Sequence, residues 1–221
     1  MPPSGLPQSA AYAVALSRRG TRNRRRYRST LFTQHLENQL TCSCTSIKID
    51  EHDLLPLGRK VAPGAALLSP RGNVSEQGQN RFFRRFAEGV FDLEDLARRV
   101  KDLTRWLGAA RTAYGLGGSL DALGFSNGAN TAAATLLTQG PVFRRVVMLR
   151  GMVTLEPAGV DLRGVQVLLG SGERDPIIPV QNARKLAEQL RAAGAEVQHE
   201  VLAAGHELTG QDLELVRGFL A

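Results

Sequence analysis

Leu123-Gly124-Phe125-Ser126-Asn127-Gly128-Ala129 is the stretch on which the reading of this chain turns. An apolar run over residues 120–125 precedes the serine, and an Ala/Leu-rich run over residues 130–137 follows it. Gly-x-Ser-x-Gly between a buried strand and a helix is the pattern of a sharp turn that lifts a serine above a sheet. Glycine is needed two residues either side because a side chain there would collide with the strand or the helix. The turn also aims the first free N–H groups of the helix at the space before the hydroxyl. Ser126 is therefore the candidate nucleophile, and the Asn127 N–H is a candidate donor to an oxyanion.

Outward from the serine, the pattern alternates strand and helix. Residues 92–107 carry Leu93, Leu96, Val100, Leu103 and Leu107 at three- and four-residue steps, the mark of an amphipathic helix. Gly115 to Gly118 break the chain before the strand that leads to Ser126. Residues 142–149 and the fully apolar 165–169 read as buried strands. Residues 180–193 read as a helix ended by Gly194, 196–202 as a strand, and 212–220 as a terminal helix. The order predicts an α/β fold, a mostly parallel sheet with helices on both faces. Residues 50–59 begin a short helix and 65–69 a short strand. Residues 73–88 read as a long loop, whose Phe82, Phe83 and Phe86 are placed either as pocket walls or as core anchors.

A serine hydroxyl needs a base to take its proton and a third group to orient that base. The chain has four histidines, His35, His52, His199 and His206. His206 stands in Ala-Gly-His-Glu after the last expected strand, on a loop able to reach over the sheet edge; His199 lies inside that strand. The acid is expected between serine and histidine in sequence. Asp175 follows the strand at 165–169, and Pro176 keeps it out of helical conformation; Glu173 is the competitor. The candidate catalytic set is thus Ser126, Asp175 and His206.

These residues resemble a known family. Gly124 to Ala129, Gly151-Met152, Arg174-Asp175-Pro176-Ile177-Ile178-Pro179 and Gly205-His206-Glu207-Leu208 are similar to the phospholipase/carboxylesterase branch of the α/β-hydrolases. Within it they look most like small bacterial carboxylesterases of the hydroquinone-stress type. The resemblance covers residues 51–221. It implies esterase activity on small acyl esters or thioesters, with neither a metal nor an organic cofactor. The related dienelactone hydrolases use cysteine where this chain has Ser126. Phe82, Phe83 and Met152 are candidate walls of the substrate pocket.

Residues 1–49 differ in composition from the rest. The chain holds 28 Lys+Arg against 21 Asp+Glu; residues 1–48 hold eight of those cations and one acid, Glu37, which leaves 20 of each sign beyond. The net charge of +7 therefore belongs to the N-terminal segment, and no nucleic-acid partner is expected for the folded part, 50–221. No stretch is long and apolar enough to cross a membrane, and no secretory signal is visible. Cys42 and Cys44 are too close to staple a fold and read as thiols of a reducing cytoplasm. Apart from a weak apolar stretch at 10–16, no strand or helix period is sustained in 1–48. The segment reads as disordered, with a transit peptide and a phosphate-binding arm as alternatives. It also fits an out-of-frame or wrongly started translation joined to an intact C-terminal part.

One expected feature is absent from that segment. Relatives carry His-Gly and further glycine, shortly before the region matching residues 51–57, on the loop that supplies a second oxyanion N–H. Here residues 42–50 read Cys-Ser-Cys-Thr-Ser-Ile-Lys-Ile-Asp, and no glycine lies between Arg22 and Pro56. Two expectations follow: a serine esterase, or a non-catalytic or impaired hydrolase remnant that keeps the three site residues and lacks half of its oxyanion hole.

Overall fold

A computed structural model describes residues 13–17, 54–76, 79–87, 89–116 and 118–221. Its centre is a six-stranded sheet in the order β10-β9-β8-β7-β1-β2. Four of these strands are parallel neighbours: β7 (Asp121–Phe125), β8 (Arg145–Leu149), β9 (Gln166–Gly172) and β10 (Glu196–Leu202). They run in step, with Asp121 beside Arg145, Arg145 beside Gln166 and Gln166 beside Glu196. All five residues of β8 are buried, as expected of a strand covered on both faces. β10 closes one edge and has only exposed and half-buried residues.

Helices cover both faces. On one, Ala122, Val146, Met148, Val167 and Leu169 pack against α3 (Asn127–Gln139) and α4 (Val180–Ala192). On the other, Leu123, Val147, Leu149 and Leu168 meet Val61 of α1 (Leu55–Val61) and Val216 and Leu220 of α5 (Gly210–Leu220). The period-two alternation of each strand is what divides these two cores. α2 (Leu93–Tyr114) buries Leu96, Val100 and Leu107 on one stripe. Asp92 caps its start by accepting from the Asp95 N–H at 2.9 Å, and left-handed Gly115 (φ 61°) ends it. The helix continues seven residues past the expected end at 107 because nothing stops it before that glycine.

Two expectations are corrected. The N-terminal segment is not uniformly without strand structure: β1 (Ala13–Ser17) is hydrogen-bonded into the sheet between β7 and β2 (Ala66–Leu68). It is antiparallel to both, Ala13 lying beside Gly124 and Leu16 beside Asp121. The rest of 1–49 lies outside the described residues. The stretch 73–88 is also not a plain loop. It holds one small hairpin, β3 (Val74–Glu76) with β4 (Gln79–Arg81), and the first strand of another, β5 (Arg85–Ala87) with β6 (Val90–Phe91). The Glu76 carboxylate ties them together: Oε2 pairs with Arg81 Nε at 2.8 Å and Arg85 Nε at 3.1 Å, and Oε1 accepts from the Arg85 N–H at 3.0 Å.

Candidate active site

The site sits at the carboxyl ends of the parallel strands, where the connections after β7, β9 and β10 converge. Ser126 joins β7 to α3. Its backbone, at φ 51° and ψ −112°, lies outside the ordinary regions for an L-residue, a conformation that costs about 1–3 kcal/mol and persists only where packing imposes it. The Ser126 N–H donates to the Leu149 carbonyl at 2.8 Å, which fixes the turn to the neighbouring strand. A Cβ on Gly124 would stand 2.6 Å from the Gly128 carbonyl carbon and 2.7 Å from the Ala129 nitrogen. This contact between strand and helix is the one that the glycine spacing anticipates. No side chain caps α3, and the first intrahelical bond runs from the Asn130 N–H to the Ser126 carbonyl. The N–H groups of the first turn therefore point into the site.

Asp175 lies on the loop after β9, its side chain 1 % exposed. Its Oδ1 accepts from the N–H groups of Ile177 at 2.8 Å and Ile178 at 3.0 Å. The other oxygen, Oδ2, lies 2.8 Å from His206 Nδ1. The carboxylate is thereby held from one side and offers a single lone-pair direction to the imidazole. Pro176 stiffens the same loop. Glu173, the competing acid, is solvent-exposed.

His206 follows β10. With Nδ1–H donated to Asp175, the neutral ring presents Nε2 as an acceptor, and Ser126 Oγ lies 3.0 Å from it. The ring leans on Phe125, with centroids 5.4 Å apart. Its loop passes over the end of β9 so closely that a Cβ on Gly172 would stand 2.2 Å from the Gly205 carbonyl oxygen. The three residues chosen from the sequence are thus brought into one hydrogen-bonded line.

The candidate pocket residues are placed differently. Phe82 and Phe83 are core residues, grouped with Leu96, Val100 and Leu123. Phe83 meets Phe91 edge-on at 5.1 Å. The link from this region to the site is polar: Asn127 Oδ1 accepts from the Phe82 N–H at 2.8 Å. The Asn127 side chain so ties down the segment between the hairpins from the first turn of α3. Met152 is half-buried, its N–H held by Asn130 Oδ1 at 2.9 Å, and a Cβ on Gly89 would lie 3.8 Å from its Cε. The segment 42–50 lies outside the described residues.

A second serine–histidine contact occurs away from this line. Ser171 Oγ and His199 Nε2 are 2.9 Å apart, on adjacent strands β9 and β10. Burial, with the Arg191 and Arg184 charges behind it, pushes the His199 pKa down. Among the described residues no carboxylate hydrogen-bonds this ring, and neither residue stands at a helix N-terminus. Among the described residues no group of three or more His, Cys, Asp or Glu side chains is placed to hold a metal ion. No helix among them is long and apolar enough to cross a membrane.

One residue in contact with the His206 loop escaped sequence reasoning. Arg150 directly follows β8 with φ 55°, is 1 % exposed, and forms a two-pronged ion pair with Asp212. A single charge closing an apolar strand, Val-Val-Met-Leu-Arg, was the available signal. Its partner sits 62 residues away and carries no local mark of the pairing.

Sheet order, parallel core and the strand–serine–helix turn define an α/β-hydrolase. The comparisons narrow this. The model of the phospholipase/carboxylesterase family matches residues 121–221. MhqD of Bacillus subtilis, which carries a provisional hydrolase name, is 38% identical over 170 residues, 76% of this chain and 85% of its own length. Among solved structures, a Bacillus cereus carboxylesterase is 38% identical with a TM-score of 0.71, over 77% of this chain and 81% of that one. A carboxylesterase from Mesorhizobium loti is 28% identical with a TM-score of 0.72, over 77% and 82%. A protein of unknown function from Agrobacterium tumefaciens is 40% identical with a TM-score of 0.71, over 77% and 83%. The chain belongs to the phospholipase/carboxylesterase family.

Proposed function

We propose that this protein hydrolyses small acyl esters or thioesters through an acyl-enzyme on Ser126, with His206 as general base and acid and Asp175 as the group that orients it. The observation that carries the proposal is the unbroken line from Ser126 Oγ to His206 Nε2 (3.0 Å) and from His206 Nδ1 to Asp175 Oδ2 (2.8 Å). In the first half, Oγ attacks the carbonyl carbon and its proton passes to Nε2. The new C–O bond drives the carbonyl electron pair onto oxygen, where the Asn127 N–H receives it. The tetrahedral species collapses, the bond to the leaving alcohol or thiol breaks, and that group takes the proton from Nε2. In the second half, water gives its proton to Nε2 and attacks the acyl carbon. Ser126 then leaves with that proton, and the carboxylic acid is released. Asp175 stays ionised and stabilises the imidazolium formed in each half. No cofactor enters these steps.

The glycine-free stretch 42–50 favours a second reading, in which the nucleophile is activated but the oxyanion has one donor only. Losing one donor costs roughly 10²–10³ in rate. p-Nitrophenyl acetate and butyrate with a fluorophosphonate probe separate the two. Turnover together with labelling of Ser126 supports the full esterase. Labelling with turnover lower by about that factor than in relatives supports the impaired one. Neither labelling nor turnover would refute the serine-hydrolase reading altogether.

A further inference from the structure

Arg150 lies beneath the histidine loop, away from the reacting atoms, and its hydrogen bonds are arranged around one residue. Nε donates to the Gly205 carbonyl at 2.9 Å, and Nη2 donates to the Glu207 carbonyl at 2.8 Å. These are the two carbonyls that flank His206. The other face of the guanidinium is held by Asp212, Nη1 to Oδ1 at 2.8 Å and Nη2 to Oδ2 at 2.9 Å. Asp212 is anchored in turn as the third residue of α5. Its Oδ2 accepts from the Thr209 N–H and Oγ1, both at 2.8 Å, and its own N–H donates to Thr209 Oγ1 at 3.4 Å. The Arg150 N–H donates to the Gly170 carbonyl of β9 at 2.7 Å. A rigid plane is thus fixed to β9 and α5 at the end of β8 and grips the carbonyls of the residues before and after His206.

We propose that Arg150 is a positioning residue of this hydrolase: its guanidinium fork holds the Gly205 and Glu207 carbonyls so that His206 is aimed at Ser126 and Asp175 at once. This rests on the reading of His206 as the base. The choice of residue follows from chemistry. Two carbonyls two residues apart plus one carboxylate call for at least four N–H donors in a fixed plane, which arginine alone among side chains supplies. Its cost is visible twice, in a buried charge that needs Asp212 beside it and in a backbone φ of 55° on a residue with a Cβ. An arginine serving only to fill space under a loop would need neither carbonyl contact. Misplacement of a catalytic group by about an ångström lowers turnover about 10²-fold.

The test compares Arg150→Lys, which keeps a cation against Asp212 but cannot span both carbonyls, with the double change Arg150→Met and Asp212→Leu, which removes both buried charges. Both are read in the full chain beside the unaltered protein. The expected result is a 10- to 100-fold fall in kcat and in the rate of fluorophosphonate labelling at near-constant KM. The pH profile should shift, and water should exchange the His206 Nδ1 proton faster by NMR. Both variants turning over, labelling and exchanging that proton like the unaltered protein would overturn the proposal. A change in KM alone with His206 exchange unaltered would do so as well. Should both variants fail to fold, exchange of the Arg150 Nε proton in the unaltered protein decides: protection up to global unfolding supports the grip, and rapid exchange refutes it. The NMR readout needs no turnover. An unaltered protein that neither labels nor turns over but shows a protected Nδ1 proton, lost in Arg150→Lys, refutes the serine-hydrolase reading and leaves the positioning of His206 standing.

Discussion

The molecule contains two serine–histidine contacts of nearly equal length, and only one has the surroundings of a nucleophile. Ser126 and His206 are 3.0 Å apart; Ser171 and His199 are 2.9 Å apart. The first pair comes from two loops at the carboxyl ends of parallel strands; the second comes from side chains on two neighbouring strands. The first histidine has a buried, doubly anchored carboxylate behind it. The second has burial and the positive charges of Arg191 and Arg184, which favour a neutral ring without orienting it. Ser126 opens a helix that no side chain caps, while Ser171 is the penultimate residue of β9 with its backbone paired to β10. Distance between hydroxyl and imidazole is therefore the least informative part of such a site. The third group and the fixed dipoles in front of the oxygen separate a reactive serine from a hydrogen bond that holds two strands together.

That comparison can be broken by experiment. The largest effect expected is from Ser126→Ala, a fall in kcat on the order of 10⁶ toward p-nitrophenyl butyrate, against no change for Ser171→Ala. Equal losses would erase the distinction. Next comes Asp175→Asn, which leaves the shape but offers His206 an amide in place of an anion, with roughly 10⁴-fold lower kcat. Acids added back will not restore it, since the side chain is buried. Gly172→Ala follows. Its Cβ would meet the Gly205 carbonyl oxygen at 2.2 Å, backbone that cannot rotate away, so the His206 loop must move; kcat falls about 10²-fold and the melting temperature drops. Gly170→Ala is the control, because its Cβ meets the tip of the Leu149 side chain at 2.8 Å, which can turn aside. The smallest effect is at the second pair. With its pKa lowered in the folded state, His199 stays neutral where the unfolded chain has begun to bind a proton, from about pH 6.5 downward. Its contribution to stability is complete above that pH and is lost as pH falls through the folded pKa. His199→Gln should flatten the fall of urea-unfolding stability below pH 6.5 and leave turnover untouched.

Much of the site was legible because its demands are local. A glycine two residues before a serine, and a proline after an aspartate, each mark a turn with a steric reason that short sequence displays. The bounds of β10 were read to the residue, since a run of alternating character ends cleanly at Leu202. β9 was read three residues short. Gly170, Ser171 and Gly172 look like loop, yet the two glycines are where the Leu149 side chain and the Gly205 carbonyl come close to an extended strand. The hairpins between Val74 and Phe91 were illegible because strands of two or three residues show no period, and what ties them is the Glu76 carboxylate. Phe82 and Phe83 read equally as pocket walls or core anchors because they sit in a polar stretch; their burial depends on α2 and β7, elements that lie later in the chain. Arg150 was missed for the same reason, its partners being a carboxylate and carbonyls more than fifty residues away.

The direction of one strand limits what the elbow's other flank can offer. β1 meets β7 head to tail, with Ala13 beside Gly124 and Leu16 beside Asp121. A strand running with β7 in that position would deliver its exit loop to the rim where Ser126 stands. Run backward, β1 ends with Ser17 at the opposite rim, about 13 Å away at 3.3 Å of rise per residue. Among the described residues, the backbone that reaches the serine's rim on this flank is Ala13 at the start of β1 and the chain departing from Leu68. The heading of a five-residue strand thus sets which of its ends stands on the rim of Ser126 and which is turned away from it.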